Sequence, residues 1–155
     1  MMALEFLPEK RFMLRALELA RDAALAGEVP VGAVLVRGGQ VLGEGRNRRE
    51  VSGCALAHAE MEAIAQACRK TGTWRLTGSQ LYVTLEPCPM CTGAIINARV
   101  GQVVYGADDE SAGCCGTAAD LLKLPAAPEI KIFRGFMEEE SRALLREFFQ
   151  RLRFP

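Results

Sequence analysis

Residues 80–95, QLYVTLEPCPMCTGAI, decide the fold. From Leu81 to Leu85 the segment is apolar nearly throughout and rich in β-branched and aromatic side chains, the pattern of a strand covered on both faces. Pro87 cannot donate to a sheet ladder and stops the strand. A helix is predicted from about Met90 to Ala98, so the strand belongs in the interior of a sheet flanked by helices.

Outward from this unit the same alternation continues. Downstream lie a strand, QVVYGA (102–107), a Gly-rich loop, DDESAGCCG (108–116), and a short helix around Ala118 to Leu122. A last strand, EIKIF (129–133), and a final helix from Glu138 to Leu152 follow. Upstream, a helix from about His58 to Lys70 is ended by Gly72, and a polar loop, RNRREVSGC (46–54), precedes it. VPVGAVLVRGGQVLGEGRN (29–47) carries two β-branched runs separated by Gly38 and Gly39, a hairpin signal. From Pro8 to about Glu28, Phe12, Leu14, Leu17, Ala20, Ala24 and Leu25 recur at mostly helical spacing. The expected fold class is α/β, a three-layer α/β/α domain over 1–155 with a mixed five-stranded sheet. The hairpin pairs antiparallel, and the later strands run parallel.

At 155 residues and 50% hydrophobic content, the chain is sized to bury about 70% of its unfolded surface as one domain. Nineteen basic and nineteen acidic residues cancel, which excludes a strongly basic nucleic-acid binder or an acidic tail but leaves a local basic patch open. The opening MMALEFLPEKRF lacks a secretory leader and no window is long and apolar enough for a membrane span, so a cytoplasmic protein with no membrane partner is expected. Six cysteines in such a chain read as thiols or metal ligands rather than as a disulfide frame.

Cys88 and Cys91 form a C-x-x-C between a strand and a helix, which alone suits a redox pair, half of a structural zinc site or a catalytic one. His58 is the only histidine. A lone histidine is often a satisfied core residue, but here it also starts a helix, so two helix N-termini bring one imidazole and two thiolates to one sheet edge. Three such ligands suit zinc and leave a fourth position open. Cys54 is the candidate for closing it, which would make the site structural in a non-enzymatic module. Glu60 argues for catalysis, because an acid beside an activated water shuttles protons. H-x-E followed by P-C-x-x-C is the signature of zinc-dependent nucleobase deaminases.

With these residues in view, the chain resembles the bacterial tRNA-specific adenosine deaminases of the cytidine deaminase-like superfamily. The resemblance is carried by EVPVGAVLV, GEGRN, AHAEMEAI, WRLTGSQLYVTLEPCPMCTGAIINARV, VVYGADD, AGCCGT and EEESRALLREFFQRLR. It implies hydrolytic conversion of the wobble adenosine in a tRNA anticodon loop to inosine, by a homodimer with one Zn²⁺ per subunit. It further implies that His58, Cys88 and Cys91 are the metal ligands and Glu60 the proton shuttle. Asn47 would contact the base, the Ala59 backbone and the VPVG stretch (29–32) with Val31 would line the pocket, Pro87 would bind substrate, Asp109 would lie near the neighbouring nucleotide, and Phe148 and Phe149 near the RNA loop. Helical spacing with Leu144, Leu145 and Leu152 places at least one of those two phenylalanines in the core.

The chain departs from the family where GCALAHAE replaces the common D-P-T-A-H-A-E approach, making the path to the metal more apolar through Cys54 and Leu56. Asp108 stands where relatives often carry a basic residue. Both departures admit a small purine, a free base such as guanine or a nucleoside, as the alternative substrate for the same zinc site.

Overall fold

The computed structural model describes residues 7–153. Its elements in chain order are α1 (Lys10–Leu25), β1 (Gly32–Arg37), β2 (Gln40–Arg46), α2 (Arg49–Ser52), α3 (Ala59–Thr71), β3 (Gln80–Leu85), α4 (Pro89–Ala98), β4 (Gln102–Ala107), a 3₁₀ turn (Leu121–Lys123), β5 (Lys131–Phe133) and α5 (Glu138–Arg153). The strands form one mixed sheet in the order β2-β1-β3-β4-β5. β1 pairs antiparallel with β2 and β3, while β3, β4 and β5 run parallel. β3 is central, as its nearly continuous apolar run requires.

Side chains alternate across the sheet and divide the core in two. Ala33, Leu35, Leu81, Val83, Val103 and Tyr105 pack with Ala63, Ala67 and Ile95 of α3 and α4. Val34, Val36, Tyr82 and Val104 meet Phe12, Met13, Ala16 and Leu17 of α1, with Leu144 of α5 at the margin. Burial of each large apolar side chain contributes about 1.5–3 kcal/mol, so the period-two and period-3.6 patterns lock register and helix rotation together. Gly38 and Gly39 both adopt positive φ, 59° and 76°, which closes the hairpin. A side chain at Gly45 would collide with the Ala59 carbonyl, so this glycine lets the N-terminus of α3 lie directly on β2.

Three local expectations change. The polar loop after the hairpin contains the short helix α2, whose Glu50 N–H donates to both oxygens of buried Glu28, 2.9 and 3.1 Å away. A cap supplied from a distant part of the chain has no local pattern to betray it. The helix expected at 118–122 is a 3₁₀ turn over 121–123, capped by the Asp120 carboxylate accepting from Leu122 N–H. Only residues 131–133 of EIKIF pair with the sheet. Among the described residues no helix is long and apolar enough to cross a membrane.

Candidate metal centre and active site

α3 and α4 carry at their starts the residues singled out in the sequence, and those residues meet in space. His58 is the N-cap of α3, with extended backbone and no side-chain bond to the helix, so its ring remains available. Cys88 is the N-cap of α4, Pro89 opens that helix, and Cys91 follows one turn in. The Nδ1 of His58 lies 3.6 Å from Cys88 Sγ and 3.5 Å from Cys91 Sγ. In a tetrahedral zinc site, metal–sulfur and metal–nitrogen bonds of about 2.3 and 2.0–2.1 Å place such donors about 3.5–3.6 Å apart. The set is therefore compatible with zinc. Cys54 is exposed and outside this cluster, so the closed four-ligand alternative lacks its fourth donor.

Protons among these groups are unevenly held. A hydrogen bond from Cys91, and then one from His58, brings Cys88 down to about 4. The same bond with Cys88, together with burial, pushes Cys91 up. The hydrogen bond to Cys88 also raises His58. A Cys88 thiolate beside the His58 ring is a donor arrangement suited to a cation. Glu60, 4% exposed in the first turn of α3, has its carboxyl raised by burial to about 7. A carboxyl tuned near neutrality both accepts and returns a proton.

The pocket beside these groups has a volume of about 180 Å³. Val29, Val31 and Leu85 supply apolar lining, Ala59 contributes at the start of α3, and Asn47 and Arg49 stand at the β2 end. Glu86, Asp109 and Ala112 form the opposite wall. Asn47 donates from Nδ2 to the Val29 carbonyl and accepts at Oδ1 from Arg49 N–H. One donor and one acceptor position on its amide stay open for a base.

The MafB19-like deaminase family pattern matches residues 8–153. The tRNA-specific adenosine deaminase of Bacillus subtilis (strain 168) is 45% identical over 146 residues, covering 94% of this chain and 91% of its own. A structure solved in work on A-to-I editing by tRNA:A34 deaminases at the wobble position of transfer RNA superposes with a TM-score of 0.83 at 39% identity, covering 88% of this chain and all of that one. The chain belongs to the tRNA-specific adenosine deaminase family. It is thus a hydrolytic deaminase with the cytidine deaminase-like fold. A guanine deaminase structure from Bacillus subtilis is 40% identical but aligns over 72% of this chain and 71% of its own, with a TM-score of 0.64.

Within this deaminase, Val31, Asn47, Ala59 and Asp109 converge on the pocket with His58, Glu60 and Cys88. Cys91 is fully buried behind it, and Pro87 lies outside the lining, its carbonyl accepting from Cys114 N–H and the Thr92 hydroxyl. The side chain of Asp109 is turned to its own loop, Oδ1 accepting from Ser111 N–H, Ser111 Oγ–H and Ala112 N–H. Phe149, 44% exposed, lies in a neighbouring groove with Ala107, Asp108, Arg142, Arg146 and Arg153. Phe148 is half-buried in a second groove beside Ala24 and Leu25 of α1, so neither phenylalanine is full core. Asp108 accepts from the Tyr105 hydroxyl in a groove that also holds Arg142, Arg146 and Arg153, of which Arg142 is paired with Glu138 at 2.8 Å.

Leu56 is a correction. It is 58% exposed and outside the pocket lining, because Ala57 N–H bonds to the Cys54 carbonyl and Arg48 N–H to the Ala57 carbonyl, turning residues 54–56 outward. The apolar approach expected from Cys54 and Leu56 is therefore not part of the pocket. Sequence reading missed Arg49, Leu85, Glu86 and Ala112. Of these only Glu86 left a signal, an acid ending an otherwise apolar strand.

Proposed function

We propose that this protein is a zinc enzyme of the cytoplasm that converts adenosine to inosine at the wobble position of a tRNA anticodon loop, as a homodimer. The observation that carries the reading is Glu60 buried beside the His58, Cys88 and Cys91 donors in a pocket large enough for a base but not for a folded nucleic acid. Held by those three residues, Zn²⁺ would supply Lewis acidity that lowers the pKa of water to about 7.

Glu60 removes one proton from the water as its oxygen bonds to C6 of adenine, and passes that proton to N1. It then takes the remaining proton from the new C6 hydroxyl and gives it to the exocyclic amine, so that the bond from C6 to the amine nitrogen breaks, the carbonyl of inosine forms and ammonia leaves. Val29, Val31 and Leu85 shield the base and exclude bulk water, which strengthens each polar contact inside. Asn47 offers its free amide positions to the base edge, and the Ala59 backbone lies against it. The adjoining groove of Arg142, Arg146, Arg153 and Phe149 supports RNA as the carrier of that base, through phosphate contact and stacking. The superposition on a tRNA:A34 deaminase supports the same choice over a small purine. On α4, Met90, Gly93 and Ala94 form a partly exposed, uncharged strip that suits a second copy.

The test is incubation with a transcribed arginine tRNA carrying an ACG anticodon, read for inosine at the wobble position. Inosine there, with one zinc per chain and a dimer by sedimentation, is the expected result. No inosine at high enzyme concentration, together with ammonia release from guanine or a free nucleoside, would replace tRNA with a small purine.

A further inference from the structure

The far wall of the pocket is a loop, and the structure shows what holds it. Glu86 is 2% exposed at the end of β3, yet no basic side chain pairs with it among the described residues. Its carboxylate instead accepts three backbone N–H groups from one segment: Asp109 on Oε1 at 3.2 Å, and Cys115 and Thr117 on Oε2 at 3.1 and 3.2 Å. Its own N–H is bound to the Ala107 carbonyl at 2.9 Å. Between those anchor points the Asp109 side chain closes its turn, and Gly113 packs so tightly on Glu86 that any side chain there would strike the carboxylate. Asp109 and Ala112, which face the pocket, therefore take their positions from Glu86.

We propose that Glu86 is a positioning residue of this deaminase, its two oxygens holding segment 109–117 as the substrate-facing wall while the metal ligands and Glu60 are carried at the starts of α3 and α4. The substrate in the test rests on the functional reading above. A carboxylate accepts on both oxygens, whereas the amide of glutamine presents N–H groups at one end and leaves at least one of the three donors without a partner.

Glu86→Gln is expected to raise KM for an anticodon stem-loop about tenfold, with zinc stoichiometry unchanged and kcat within about threefold. Charge alone predicts the opposite sign, since removing a negative group beside an RNA site strengthens RNA binding. A purely structural role would lower the active fraction and leave KM where it was. Gly113→Ala attacks the same contact from the loop side with Glu86 intact, and is expected to raise KM in the same way; it serves if Glu86→Gln does not fold. Amide hydrogen exchange is expected to quicken at 109, 115 and 117 in whichever variant is folded. Unchanged KM, or unchanged exchange at those amides, overturns the proposal. Wild-type protein that makes no inosine overturns the functional reading instead, and KM is then compared on the purine it does deaminate, by the same criterion.

Discussion

On one side of the pocket, His58 and Glu60 stand in the first turn of α3, a helix of 13 residues pressed onto β2 through glycine contacts. On the other side, Asp109 and Ala112 stand in a loop fastened by hydrogen bonds to one buried carboxylate. The first wall is rigid because many apolar atoms are packed; the second because a few polar groups are satisfied. Two buried acids mark the contrast. Glu60 is pushed toward neutrality by burial, whereas both oxygens of Glu86 are occupied by N–H donors. The proton transfer proposed for Glu60 thus falls on the packed wall, and the substrate placement proposed for the Glu86-anchored segment on the hydrogen-bonded one.

The largest break in this comparison is Glu60→Gln. It is expected to lower kcat by about 10²–10⁴ or more while zinc remains bound, checked by single-turnover inosine formation and metal analysis. Next, Cys88→Ser and His58→Ala are expected to drop zinc content well below one per chain, with activity following the metal, read by elemental analysis before and after dialysis. On the packing side, Leu17→Ala, at a fully buried position of α1, should cost about 2–5 kcal/mol in denaturant unfolding yet leave KM of the folded enzyme unchanged. Arg146→Ala in the neighbouring groove is expected to weaken tRNA binding severalfold and to reduce the slope of log affinity against log salt by about one. The smallest expected effect is from Cys54→Ala. Zinc content and KM should both match wild type, and loss of zinc in this variant would restore the four-ligand site that the geometry leaves incomplete.

The packed wall was legible in advance. β3 announced itself as an apolar run stopped by Pro87, and the histidine and C-x-x-C sit at helix starts that local pattern identifies. These features repeat over a few residues, the range over which backbone geometry controls which side chains share a face. The hydrogen-bonded wall was not legible. Nothing near Asp109 reveals that its N–H will reach Glu86, 23 residues earlier, and nothing near Glu50 points to Glu28. Leu56 was misplaced for the same reason, since backbone bonds across the 48–57 turn, rather than residue type, send it outward.

By itself, then, the sequence determined the mixed sheet and brought forward His58, Cys88, Cys91 and Glu60 as candidates at helix starts, because periodicity and helix starts are encoded in neighbouring residues. Only the tertiary structure decided which side chains face the pocket, that Asp109 turns to its own loop, that Cys54 stays away from the metal site, and that Glu86 holds the far wall. Those outcomes depend on buried polar groups finding partners across the fold, and a buried donor or acceptor is satisfied by proximity in space rather than along the chain.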